Sequence, residues 1–219
     1  MESQAGGARP PRVKHRRGEG GLLRQELIAA ARFRLEDAES EGELTIRGVA
    51  RAAGIAPQSF YLQFEGLDEL LYEVYAEEYS ELRRAMEGAA ASQTEEAAQL
   101  LAACAAYCEY AEAHPGRYRA MTKVRGRAEH RGWEARALPG ARTFELIRDL
   151  TARALAARGS SADPWLAAVT LWAALHGTVS LRATRPAFPW PPLDQMVEAM
   201  VGQTIGAAKG GQSDGPIGE

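Results

Sequence analysis

Metal-ligand and disulfide chemistry have little to work with in this chain, whose 219 residues include two cysteines and four histidines. Cys104 and Cys108 stand four apart in an alanine-rich stretch, which puts both on one face of a helix. Neighbours on one helix give poor disulfide geometry, and no His or acid at ligand spacing flanks them. They read as small buried hydrophobes, with a redox role as the alternative. His15, His114, His130 and His176 are scattered singly, without the paired Glu-x-x-His motifs of helical-bundle metal enzymes. A Gly-rich phosphate loop and a nucleophile–base arrangement are missing as well. The expectation is therefore no enzyme, no cofactor and no metal. β-Branched runs bounded by turn signals are also lacking, which argues against strands. Every long apolar stretch reads as cut by charge within a dozen residues, so no membrane span is expected. The N-terminus carries positive charge without an apolar segment behind it, unlike a secretory signal. A cytoplasmic chain is expected.

Neither sign of charge dominates, with a net charge of −3. Its distribution is uneven. Residues 1–35 hold eight Lys/Arg against three acids, a local balance of +5, which leaves −8 on the remainder. A basic end on an acidic body suits a protein that touches phosphate with one end only, although basic tails are common on their own account.

Alanine abundance makes nearly everything between the ends read as helix. Residues 1–19 lack periodicity and are expected to be disordered, as are Gly210–Glu219, with four Gly and one Pro. A first helix is expected over Gly21–Ala38, where Leu23, Leu27, Ala30, Ala31 and Leu35 form one apolar stripe. A short helix over Thr45–Ala53 follows, with Thr45 as N-cap. After a turn at Gly54, a second short helix starts near Ala56–Pro57 and ends near Gln63–Phe64. Longer helices are expected over Leu67–Ala89, Glu95–His114, Ala141–Ala157, Asp163–Thr184 and Leu193–Ala208. A short one runs from Pro115 through Tyr118 and Met121. Gly126–Gly140 reads as a loop, and the four prolines of Arg185–Pro192 exclude helix there. The fold class is all-α.

The segment Thr45–Phe64 carries the functional signal. Ile46, Val49, Ala50, Ala53 and Ile55 supply an inner face, and Phe60 and Phe64, four apart, fold back onto it. Ala50 is small where two helices cross closely. Pro57, Gln58, Tyr61 and Leu62 are left outside on a polar, unacidic helix of the kind that enters a major groove.

This segment resembles the DNA-binding domain of the TetR family of transcription regulators. The match rests on Ala30–Ala31, on Thr45 to Val49-Ala50, on the turn Ala53-Gly54-Ile55, and on Phe60-Tyr61-x2-Phe64 followed by Asp68-Glu69-Leu70-Leu71. It covers about Gly21–Leu71. The resemblance implies an N-terminal three-helix helix-turn-helix domain (residues 20–66, behind a basic arm at 1–19) and a C-terminal helical bundle (67–209) for ligand binding and dimerisation. It places Thr45 and Arg47 near phosphates, and Pro57, Gln58 and Tyr61 at the major groove. Gln58 is suited to bond adenine through its amide, and Ser59 and Gln63 are phosphate candidates. Tyr61 could instead be partly core. The family's usual lysine at the start of the fourth helix is Leu67 here, with Glu65 nearby. Arg9 to Arg17 are expected to compensate for that loss.

Further on, Trp172-x3-His176-Gly177 resembles a TetR subfamily's C-terminal domain. Gly177, Ala173, Ala174 and Ser180 form a small-residue face. Met196, Val197, Met200, Val201 and Ile205 form an apolar stripe on the last helix. Two such helices per subunit could build a four-helix dimer interface. Leu101, Tyr107, Tyr110, Tyr118, Met121, Phe144, Trp165 and Trp172 could line an apolar cavity. The ligand contacts carried forward are Tyr107, Tyr110, Met121, Phe144, Trp172 and His176. For His176 the favoured alternative is a bond to a buried backbone group. The implied function is a DNA-binding repressor released from operator DNA by a small-molecule effector. A ligand-independent repressor, or a helical ligand-binding protein without DNA function, remains the alternative.

Overall fold

The structure is a computed structural model and describes residues 20–37, 44–122 and 139–206. Among these residues there are nine helices and no strand. The basic arm Arg9–Arg17, both expected disordered ends and nearly all of the expected loop Gly126–Gly140 lie outside the described residues. The chain forms two compact units, Met1–Val74 and Tyr75–Glu219. They divide inside the fourth helix rather than at residues 66/67. The first turns of that helix bury Leu70, Leu71 and Val74.

The first unit holds α1 (Gly20–Asp37), α2 (Ile46–Ala53), α3 (Pro57–Phe60) and the start of α4 (Leu67–Ala91). α1 buries Leu27, Ile28, Ala31 and Leu35 against the buried Val49 and Ala50 of α2. Ile28 takes the deep position where Leu23 was expected, and Leu23 is half-buried. Thr45 caps α2, its Oγ1 accepting from the Gly48 amide at 3.0 Å. Gly54 ends α2 at φ 72°, ψ 25°, a left-handed conformation that glycine adopts without steric cost. The Ile55 amide then reaches back to the Ala50 carbonyl at 2.9 Å, which closes the turn. α3 is shorter than expected. After Phe60, amides of Leu62 and Gln63 bond carbonyls three residues back, so the segment tightens into turns before Phe64.

The second unit contains the rest of α4, α5 (Glu96–Ala113), α6 (Pro115–Thr122), α7 (Ala141–Ala157), α8 (Pro164–Thr184) and α9 (Leu193–Gly206). α5 packs on α7, α8 and α9 and buries Leu100, Cys104, Tyr107 and Cys108. Both cysteines are free, and burial pushes the Cys108 thiol up to about 12. Asp163 caps α8 by accepting from the Trp165 amide at 2.9 Å, with Pro164 in the first turn.

Two expectations need correction here. α8 is long and apolar enough, by length and composition, to cross a membrane. Between Asp163 and Arg182 its sequence carries no formal charge, and His176 alone does not interrupt it. The stripe of α9 is also partly spent inside the protomer, because Val197, Val201 and Ile205 are buried.

Candidate nucleic-acid interface and ligand cavity

The helix-turn-helix is held from beneath. Phe60 and Phe64 are 0% and 2% exposed, with ring centroids 5.6 Å apart. Anchoring these two rings turns the intervening positions outward. Tyr61 and Leu62 are 60% and 76% exposed, and Pro57 and Gln58 are exposed too. Ser59 and Gln63 are half-buried, whereas Thr45 and Arg47 at the start of α2 are exposed. The outer surface is thus an apolar–amide–phenol strip with hydroxyl and guanidinium groups beside it. It carries no acid between Pro57 and Phe64.

Arg24 departs from its expected place in the basic cluster. Its guanidinium lies 4.2 Å from the Phe64 ring centroid and donates to the Gln63 carbonyl at 2.7 Å and to Glu73 at 2.9 Å. It staples α1 to the end of the Pro57–Phe64 segment and to α4. The Glu65 amide donates to the Glu69 carboxylate at 2.8 Å, which ties the chain ahead of α4 to the first turn of that helix. Leu67 itself is half-buried.

In the second unit, α4, α5, α6, α7 and α8 surround a cavity of about 660 Å³. Tyr107, Met121, Phe144, Trp172 and His176 all line it, as do Tyr118 and Trp165. Tyr110 and Leu101 do not. The Tyr110 hydroxyl donates instead to the buried Glu78 carboxylate at 2.6 Å, and that bond turns it away. Tyr75 and Tyr79 on α4, which were not expected there from sequence, also line the cavity. Their four-residue spacing on one helical face was the available signal. Tyr79 donates to the Met121 carbonyl at 3.2 Å, and burial pushes its phenol up to about 12. A Cβ on Gly140 would stand 2.8 Å from the Tyr79 ring, so glycine there permits the close approach of α7 to α4.

The cavity's polar groups are joined in a chain. The Tyr107 and Tyr118 hydroxyls are 2.6 Å apart, and the Tyr118 hydroxyl is 2.8 Å from His176 Nδ1. His176 therefore bonds a side chain rather than the buried backbone group favoured from sequence. Burial lowers its pKa and holds the imidazole neutral. Burial likewise raises both phenols far above the ordinary tyrosine range, so they stay protonated. Towards solvent the wall is aromatic. Phe144 meets Trp165 and Trp172 edge-to-face at 5.2 Å and 5.7 Å.

Fold and sites together define an all-helical protein with a helix-turn-helix unit and a cavity-bearing helical unit. Residues 100–204 match the family of tetracyclin repressor-like C-terminal domains. An uncharacterized HTH-type transcriptional regulator of Haemophilus influenzae is 44% identical over 63 residues, 29% of this chain. The match spans about a third (31%) of that relative's length. A Rhodococcus sp. RHA1 protein of unknown function has a similar structure, at TM-score 0.68 and 23% identity, covering 85% of this chain and 95% of that one. The Bacillus subtilis transcriptional regulator FadR, solved in complex with stearoyl-CoA, also gives TM-score 0.68, at 14% identity over 84% of this chain and 99% of its own. The family match falls within the second unit, and the solved structures share the fold.

Proposed function

We propose that this chain is a transcription regulator that holds operator DNA through its first unit and responds to a small molecule in its second. The carrying observation is the outward, acid-free strip Pro57–Gln63 over the buried Phe60–Phe64 pair. In this reading Gln58 bonds a base edge and Tyr61 bonds phosphate or packs on sugar. The Leu62 tip, outward beside them, suits a thymine methyl. Thr45, Arg47, Ser59 and Gln63 serve the phosphates, which set register without reading sequence. The basic arm adds non-specific affinity.

The TetR likeness, the cavity and its open indoles support an effector site, with Tyr107, Met121, Phe144, Trp172 and His176 as contacts. The subfamily assignment through Trp172-x3-His176-Gly177 is part of the same proposal, as is a cytoplasmic location. Effector binding would favour a spacing of two DNA-binding units that mismatches the operator, with α4 as the lever. Repression follows from occupying the operator.

Two half-sites about 34–36 Å apart require two recognition segments, so the working form is a homodimer. The outer face of α8 supports this. Leu166 and Leu181 are 64% and 51% exposed, Thr170 and Ala173 lie between them, and Gly177 and Gly202 face open space. Small residues allow the close helix approach that a four-helix interface needs.

The test is direct. DNA is selected from random fragments, and a Gln58→Ala, Tyr61→Ala double variant is titrated against it. Affinity should fall about 10- to 100-fold per half-site, the usual worth of a base contact. Unchanged affinity would exclude the strip as the reading surface.

A further inference from the structure

We infer that the cavity of the second unit takes an uncharged, planar aromatic molecule that carries a hydroxyl or carbonyl group. The regulator reading is needed only for calling that molecule an effector.

Shape comes first. Trp165 and Trp172 are 57% and 42% exposed, although both line the cavity. Both stand nearly perpendicular to Phe144, at 78° and 70°. A flat ring lying on either indole meets the edge of Phe144, the arrangement that aromatic quadrupoles favour. A saturated chain would gain contact area from these walls but not this complementarity. The volume, about 660 Å³, falls within the about 300–1,000 Å³ of small-ligand sites.

The polar end sets the functional group. Tyr107, Tyr118 and a neutral His176 carry one labile proton each and make two bonds among themselves. One donor is left over. With both hydroxyls donating towards Nδ1, the spare proton sits on Nε2 and suits a carbonyl. With the sense reversed, Nε2 accepts from a hydroxyl. The same chain therefore serves both groups without building up charge.

Charge at the polar end favours a neutral ligand. The formal charges among the described lining residues are Glu145 and Arg148, one of each sign. The Arg148 guanidinium bonds Asp149 through Nε at 3.0 Å and Nη2 at 2.9 Å. Among the described residues, the Tyr–Tyr–His end itself offers a carboxylate or phosphate no counter-charge, so its desolvation there would go uncompensated. The stearoyl-CoA of the Bacillus subtilis protein is a different kind of molecule, a long saturated acyl chain on a polyanionic carrier.

The test uses the full-length protein without DNA. Tryptophan quenching and thermal shift are recorded for 2-naphthol, naphthalene, 2-naphthoate and stearoyl-CoA. We expect 2-naphthol to bind tightest, about tenfold tighter than 2-naphthoate and naphthalene, as one retained or lost hydrogen bond implies. Tyr118→Phe and His176→Phe should abolish the preference over naphthalene while leaving naphthalene binding intact. That intact binding also shows that the variants are folded. His176→Gln, which keeps a donor and an acceptor, should retain part of the preference. Tighter binding of 2-naphthoate or stearoyl-CoA, or no saturable binding of 2-naphthol at millimolar concentration, overturns the inference. A gel shift on the same preparation separates the two proposals. DNA binding without naphthol binding sinks this one alone. Naphthol binding without any DNA binding sinks the regulator reading and leaves the cavity chemistry standing.

Discussion

Single residues here take their roles from what buries beside them. Gln58 and Tyr61 were legible as outward positions because Phe60 and Phe64, four apart, had to face inward. Arg24 was not legible: by sequence it is one more cation in a basic stretch. Its position over the Phe64 ring and beside Glu73 depends on helices that meet only in the folded unit. Tyr110 and Tyr107 sit three apart on one helix, yet one bonds Glu78 and the other opens on the cavity. His176 gives a pH signature. Its pKa is lowered from about 6.5 by burial, so the unfolded chain takes the proton first as pH falls. The stability it contributes is fully present above about pH 6.5 and is lost on descending through its folded pKa. Tyr107 and Tyr118, facing it, stay protonated throughout this window. Urea unfolding between about pH 7.5 and 5 should show declining stability, with a shallower decline in His176→Gln. Equal pH slopes would remove His176 as a contributor.

At the scale of elements, helix starts were easier to read than helix ends. Thr45 and Asp163 are capping side chains, and a cap works through a bond to an amide two or three residues away, which sequence spacing already encodes. The end of α3 was misjudged because tightening from helix to turn after Phe60 keeps the same apolar spacing. The turn between α2 and α3 rests on Gly54 at φ 72°. Gly54→Ala should cost about 1–2 kcal/mol, the penalty for an L-residue in that region. It should lower the Tm of the first unit and, if that unit holds DNA as proposed, weaken operator binding in parallel. A variant as stable as the parent would mean that the turn relaxes without loss.

The molecule as a whole carries an apolar face that one copy leaves open. Its clearest expression is α8, whose long uncharged run was misread as interrupted. The run serves two surfaces at once, the cavity through Trp172 and His176 and the outer face through Leu166, Ala173 and Leu181. If that outer face pairs with a second copy, Ala173→Arg puts two cations at the symmetry axis. Sedimentation should then move from dimer to monomer at micromolar concentration, and the Tm should cease to depend on concentration. A variant that remains a dimer would place the interface elsewhere.

Periodicity, caps and turn chemistry are local, and a local code sufficed for the all-helical class, the helix-turn-helix and the outward strip from Pro57. The sequence also named most of the aromatic groups that line the cavity, because large apolar side chains on several helices have few other destinations. Which hydroxyls would join Tyr107, Tyr118 and His176 into one neutral chain was decided only by tertiary packing. So was the use of Arg24 as a staple and the turning of Tyr110 to Glu78. Those bonds join residues between 11 and 58 positions apart, and no spacing rule within a helix reaches that far.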